Sequence, residues 1–201
     1  AAWAVMQPMP TDLESAGEFE LIDAMRQRWG ALAVGIGDDA AVLDVPRGER
    51  LVASTDTAIE GQHFRNDWFT PREIARRAAV GALSDLAAMA ATPIGVLVAI
   101  ELPPARRAQL LDIADGIADA VRVAGTVIVG GNLASGNALT LTTTVLGSAY
   151  APLRRSGARP GDTVYVTGAL GGPAAALRAL ARGETVASAH RDRLVAPSPR
   201  L

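Results

Sequence analysis

The chain has 201 residues, 49% of them hydrophobic, with 19 basic and 21 acidic side chains scattered along it and a formal net charge of −2. That is enough for one packed domain with the start of a second, and the dispersed charge argues against a nucleic-acid partner. No apolar run approaches the ~18 residues a membrane span needs, and the lack of cysteine removes disulfide, zinc-thiolate and cysteine-nucleophile chemistry, which fits a cytoplasmic protein. All 19 basic residues are arginine, so neither a P-loop lysine nor a Schiff-base lysine is available.

Residues 1–16, opening AAWAVMQPMP, read as a ragged terminal segment, too short and proline-broken for a signal peptide. Phe19, Ile22, Met25 and Trp29 recur at helical spacing and predict a helix over Glu18–Trp29. After the turn GIGDD, the segments AAVLDV and LVASTDT predict the two strands of a hairpin joined by PRGER. Thr70, Pro71 and Glu73 supply a cap, a first-turn proline and a capping-box acid for a helix running to about Ala91. IGVLVAIEL is then a buried strand, and ARRAQLLDIADGIADAVRVAG a second long helix stopped by Gly125. TVIVGG and ALTLTTTVLGSA are further strands, and RRSGARPGD is a turn-rich connector. TVYVTG and GGPAAALRALARG predict a strand and helix that begin another unit, before a linker-like VAPSPRL. Strands and helices mix without regular alternation, which points to an α+β fold.

Gly35, Gly37 and Ala40 fit the G-x-G-x-x-A form of a dinucleotide fingerprint, but that motif needs a helix next, and here a strand-like, proline-stopped segment follows. Asp38 and Asp39 would also stand where phosphates approach, and at ~4 Å and an effective dielectric of ~20 each repulsion is on the order of 4 kcal/mol. A metal cation reconciles these acids with phosphates. Asp56 ends a strand beside Ser54 and Thr55, a mixture of oxygen ligands suited to a hard cation. Counting from Ile74 through Ala78 and Gly81 reaches Asp85, which places its carboxylate on the inward stripe of a helix, where an arginine or a metal must meet it. Taken singly, each acid is more often a turn, cap or ion-pair residue; the combination points to metal. Gly130 and Gly131 end an apolar strand before Asn132, allowing close backbone approach to a phosphate or forming an ordinary turn. Arg154, Arg155 and Arg159 offer a bidentate phosphate grip or a solvated charge run. His63 is a substrate contact or a packed ring, and His190 reads as surface.

In order and spacing, GEFELI, GIGDDAAVL, STDTAIEGQHF, ALSDLAAMAATP, VGGN, TTTVLG and RSGARPGDTVYVTG resemble the thiamine-monophosphate kinases. These belong to an ATP-binding superfamily with aminoimidazole ribonucleotide synthetase and selenophosphate synthetase. The resemblance runs from about Gly17 to the end of the chain. It implies a mixed sheet with helices on one face, paired into a barrel in a homodimer. It also implies ATP-dependent phosphorylation of thiamine monophosphate with several Mg²⁺ ions. Carried over by motif, Asp39, Ser54, Thr55, Asp56 and Asp85 match Mg²⁺ ligands, with Asp39, Asp56 and Asp85 organising catalysis. His63 matches the contact to the thiamine phosphate, Gly131 and Asn132 the nucleotide turn, and Arg155 an ATP-binding arginine. Asn132 stands where the family commonly has aspartate, and the second domain's DLSDG-like and GGEDYEL-like motifs are not in these residues. The resemblance therefore implies an ATP/Mg²⁺-binding domain over 17–150, and over 151–201 a connector with the start of a second domain. The rival expectations are another ATP-using enzyme of the superfamily, or a non-catalytic dimerisation domain.

Overall fold

A computed structural model describes residues 12–37 and 39–198; Asp38 and the opening AAWAVMQPMP lie outside the described residues. Helix α1 is Glu18–Trp29, as its periodicity predicts, with the Glu20 carboxylate accepting the Gly17 N–H at 2.7 Å. Strand β1 is Arg50–Ile59, helix α2 Pro71–Ala88, strand β2 Thr92–Leu102 and helix α3 Leu110–Val123. Strands β3, Ile128–Ser135, and β4, Thr140–Ala149, complete a sheet in the order β1-β4-β2-β3. Within this sheet β2 and β3 pair parallel, and β1/β4 and β2/β4 pair antiparallel. Helices α4, Gly172–Ala181, and α5, Ser188–Val195, follow the connector, and α5 was not expected from the sequence.

Helix α2 starts as predicted: the Thr70 N–H donates to the Glu73 carboxylate at 2.9 Å, and Thr70 Oγ1 accepts the Glu73 N–H at 3.3 Å. It buries Ile74, Ala75, Ala79, Val80, Ala82, Leu83 and Leu86 against β1, β4 and α3. The α2–α3 contact is close because residue 116 is glycine; a Cβ there would strike the Arg72 carbonyl oxygen. Helix α1 leans on α3, where Trp29 Nε1–H donates to the Ala114 carbonyl at 2.9 Å and Arg28 grips Asp115 through two contacts of 2.6 Å. The core lies between these helices and the face of the sheet carrying Leu141, Thr143 and Val145. The fold is thus the expected α+β arrangement, a mixed sheet with helices packed on one face.

Several expectations are corrected. Residues 40–45 form no strand and no hairpin with β1. β1 instead pairs with β4 along its whole length, from Arg50↔Ala149 to Ile59↔Thr140. The alternation in AAVLDV serves another purpose: Ala41 and Leu43 turn toward the uncovered sheet face, while Val42 is 94% exposed. TVYVTG likewise forms no strand, and Val164 and Tyr165 are 89% and 85% exposed; strand-forming side chains do not order a strand without a partner. The segment Pro104–Gln109 is a 3₁₀ turn rather than the first turns of α3, and α2 stops at Ala88.

Candidate functional site

Side chains alternate along a strand. β1 therefore sends Ser54 and Asp56, which pair with Val145 and Thr143, to the face covered by α2, and sends Thr55 and Thr57 to the open face. On the α2 side the Ser54 hydroxyl donates to Asp85 Oδ2 at 2.6 Å. Asp56 Oδ1 accepts the Thr57 N–H at 2.8 Å, and its Oδ2 stands beside Gly81, 3.3 Å from where a Cβ would lie. Gly81 is one helical turn before Asp85, so both carboxylates face the same narrow margin between α2 and β1. The expectation that Asp85 points inward is corrected. Ile74 is buried, Ala78 and Gly81 are half-buried, and Asp85 is exposed. The stripe leaves the core because α2 crosses β1, and β1 is the edge of the sheet. Asp85 keeps its hydration and meets a serine hydroxyl, not an arginine.

Among the described residues, neither Asp56 nor Asp85 forms an ion pair. Uncompensated carboxylates with a hydroxyl, all hard oxygen donors open to solvent, suit Mg²⁺. Among the described residues no group of three His, Cys, Asp or Glu side chains converges, so Asp39 does not join this pair.

The loop after β1 is clamped by Glu60. Its Oε2 accepts from Arg106 Nη1 at 2.6 Å and from the Leu139 N–H at 3.0 Å, while Asn66 donates to Oε1. This holds His63, whose Nδ1 accepts the Ile59 N–H at 3.1 Å. An accepting Nδ1 leaves the proton of the neutral ring on Nε2. His63 lines a cavity of about 260 Å³ with Asp56, Phe64, Ile74, Arg77 and Ala78. Arg77 is half-buried, stacks 4.7 Å over the Phe69 ring and donates through Nη1 to the Leu194 carbonyl of α5 at 2.5 Å. Burial, then the nearby Arg191 charge, hold the Arg77 guanidinium below its usual value, with Glu73 opposing them. Sequence reasoning passed over Arg77 and assigned no role to Glu60. The EGQHF motif was the only signal for Glu60, and nothing local marked Arg77, whose partners are Phe69 and a carbonyl 117 positions away.

On the open face a groove of about 850 Å³ runs over β2, β3 and β4, lined by Asp39, Gly130, Gly131, Asn132, Thr142 and Thr144 among others. Thr55 shares a hydrogen bond with Thr144, and Thr57 with Thr142, each at 3.0 Å. Asp39, Asn132 and Thr55 thus belong to this face, while Ser54, Asp56, Asp85 and His63 belong to the other margin. Arg155 is exposed in a 3₁₀ turn of the connector, which is anchored at the C-terminal end of α2 by the Leu153 N–H donating to the Met89 carbonyl at 3.0 Å. It is not among the described walls of the groove. His190 lies half-buried on α5.

The chain is 38% identical over 200 residues to the thiamine-monophosphate kinase of Escherichia coli (strain K12), an alignment covering 93% of this chain and 60% of that protein. It is 35% identical over 196 residues to that of Mycobacterium tuberculosis (strain ATCC 25618 / H37Rv), covering 93% of this chain and 58% of that protein. Among solved structures, the thiamine-monophosphate kinase of Stenotrophomonas maltophilia K279a superposes with a TM-score of 0.76 at 34% identity, covering 90% of this chain and 61% of that one. AaThiL complexed with AMPPCP and TMP superposes with a TM-score of 0.72 at 26% identity, covering 96% and 63%. The chain therefore spans about three fifths of the length of these relatives. Among the described residues no helix is long and apolar enough to cross a membrane. The AIR synthase related protein N-terminal domain family matches residues 37–149, more than half of the sequence, and the chain belongs to that family.

Proposed function

We propose that this chain supplies the N-terminal part of an enzyme that phosphorylates thiamine monophosphate to thiamine diphosphate with ATP. Residues 17–150 are the ATP- and Mg²⁺-binding domain, and 151–201 the connector and start of a second domain. The observation that carries this reading is the margin between α2 and β1. There, Ser54 bonds to Asp85 beside an equally unpaired Asp56, in a sequence 38% identical to a named thiamine-monophosphate kinase.

The chemistry asks little of general bases. The acceptor is a phosphate monoester whose second pKa near ~6 leaves it largely ionised at neutral pH, so no side chain has to remove a proton. The work is to hold two polyanions in line. Asp56, Asp85 and Ser54 would hold Mg²⁺ on the α2 side, with Asp39 and Thr55 contributing from the open face. When bound, the cations neutralise phosphate charge and orient the reacting oxygens. Gly130 and Gly131 let phosphate approach the backbone, Arg155 grips ATP bidentately, and His63 donates to the acceptor phosphate. Asn132 of β3 gives a neutral oxygen where the family resemblance implies a carboxylate, which weakens an ion held there. The protein is cytoplasmic and works as a homodimer, its sheets paired into a barrel.

The test is calorimetric titration of this 201-residue chain with a nonhydrolysable ATP analogue, with and without Mg²⁺, beside a turnover assay on thiamine monophosphate with the chain joined to the rest of the protein. Magnesium-dependent binding together with turnover supports the reading. Turnover on a different acceptor, or no turnover with any phosphate ester, overturns it.

A further inference from the structure

Helix α5 has little of its own to hold it. At eight residues it falls short of the ~12–15 at which isolated helices persist in water, and Leu194 is its one buried side chain. The chain leading to it is equally bare: residues 153–171 are all exposed and form no regular element beyond the 3₁₀ turn Arg155–Gly157. Yet α5 sits on α2, and a small cluster of side chains accounts for that. Glu73 accepts Arg191 Nη2 on both carboxylate oxygens, at 3.0 and 3.3 Å, while its Oε2 also accepts the Thr70 N–H that starts α2. Arg77, one turn further along α2, donates to the Leu194 carbonyl. Both guanidinium groups stack on the buried Phe69 ring, Arg77 from 4.7 Å and Arg191 from 5.4 Å.

This clasp is specific rather than strong. Two cations share one ring, and of the two only Arg191 has a carboxylate partner among the described residues. Arg191 Nη1 is buried and has no hydrogen-bond partner among the described residues, which costs stability. An apolar contact would hold α5 more firmly but in many orientations; forked donors on a carboxylate and a carbonyl admit few. The place is also telling. The chain leaves the C-terminal end of α2 where the Leu153 N–H meets the Met89 carbonyl, and α5 brings it back to the N-terminal half of a helix ~27 Å long. That half of α2 borders Asp56 and His63 through Ile74, Arg77 and Ala78. The Arg77 guanidinium itself is engaged by Phe69 and Leu194, so it docks α5.

We propose that the N-terminal half of α2 is the docking surface for the second unit of this protein, and that Phe69, Glu73 and Arg77 clasp Arg191 and Leu194 to fix where that unit stands beside the Asp56–Asp85 margin. The inference rests on the proposed function for reading 151–201 as the start of a second unit. It adds Glu73, Arg77 and Arg191 as positioning residues, none of which has to touch a substrate.

The experiment compares the 201-residue chain with Glu73→Gln, Arg191→Gln and the double variant by hydrogen exchange and by trypsin, which here cuts only after arginine because the chain has no lysine. Glutamine keeps the side-chain oxygen of the capping box, so Glu73→Gln removes the ion pair and preserves the start of α2. Exchange of the α5 amides and cleavage after Arg191 or Arg193 should rise at least ten-fold in each single variant. The double variant should add less than two-fold, exchange in α3 should not change, and Arg191→Lys should recover part of the protection. Arg178→Gln, exposed on α4, is the control and should change nothing by two-fold. If Glu73→Gln fails to fold, Arg191→Gln, which leaves the cap untouched, decides. Unchanged α5 protection, or additive effects of the two substitutions, overturns the clasp. In the complete protein the same single variants should lower kcat at least ten-fold at an unchanged Tm, with part of the loss recovered by Arg191→Lys; α5 release with unchanged kcat overturns the positioning role. If the complete parent protein shows no turnover on thiamine monophosphate while α5 is released as described, the kinase reading falls and the docking surface stands.

Discussion

Gly131→Ala is expected to be far more damaging than the same change one residue earlier. In β3, residue 131 pairs with Val98 of β2, and a Cβ there would fall on the Val98 carbonyl oxygen, with Val98 C at 2.8 Å and N at 3.0 Å. Val98 cannot yield, because β2 is a central strand and Val98 also pairs with Thr143 of β4. The whole of β3 must move instead, and overpacking against rigid backbone costs about 3 kcal/mol. In a domain of this size that lowers Tm by roughly 6–12 °C. At Gly130 the added Cβ meets only Leu97 Cδ2 at 3.0 Å, the end of a side chain that can rotate away, at a cost of about 1 kcal/mol. The assay is scanning calorimetry of both variants with an ATP-analogue titration of each. Equal Tm losses at 130 and 131 would refute the claim that the Gly131–Val98 approach is the tight point of the β2/β3 pairing, which continues strand β3 through Asn132 where the sequence suggested a turn.

Under the proposed function, Asp85→Asn in the complete protein should reduce Mg²⁺-dependent turnover by about 100-fold or more, and Ser54→Ala, which removes a hydroxyl ligand and its bond to Asp85, by about 10-fold; activity assays across a Mg²⁺ series check both, and unchanged rates would remove the assigned roles. Hydrogen bonding from Arg28 holds the Asp115 carboxyl below the usual carboxylate range, with burial opposing. The stability from this pair is therefore complete above the unfolded value near ~3.9 and lost as pH falls through the lower folded value. Arg28→Gln should flatten that acid limb in denaturant titrations run at successive pH values. Trp29→Phe should cost about 1 kcal/mol through the lost Nε1–H bond to the Ala114 carbonyl, measured as a shift of the denaturation midpoint at constant m-value. Light scattering should report a dimer, and Leu51→Lys on the edge strand should shift it toward monomer.

What was legible in the sequence was local. The Thr70–Pro71–Glu73 start of α2 and the periodicity of α1 need only neighbours a few residues away to act, and both elements form where predicted. Apart from the end of α2 and the start of α3, the errors concern partners distant in the chain. Nothing in AAVLDV announces that β1 would be claimed by β4, some 90 residues later, leaving that segment to lie over the sheet face. TVYVTG has strand-forming side chains and no described strand to bond with. The inward count to Asp85 followed the helix correctly but assumed that the core extends under the whole of α2, and the sheet edge at β1 ends it first. Arg77 escaped notice for the same reason, since its guanidinium is defined by α5.

The consequence for the proposed metal site follows from strand geometry. Ser54, Thr55 and Asp56 are consecutive, and in a loop all three side chains could surround one ion. In a paired strand they cannot, because successive side chains point to opposite faces. Ser54 and Asp56 turn to Asp85 and Gly81, and Thr55 turns to Thr144 in the groove with Asp39 and Asn132. Under the proposed function, side-chain ligands on the two faces serve separate ions, and Thr55 can reach an Asp56-bound ion only through its backbone. β1 is able to serve both faces because it is the sheet edge, where α2 leaves one margin open and Thr55 and Thr57 face the opposite side. On that proposal no single ion can take side-chain donors that the pleat sends in opposite directions. Substituting Thr55 by valine should accordingly leave the Ser54–Asp85 margin intact and weaken only a cation held in the groove.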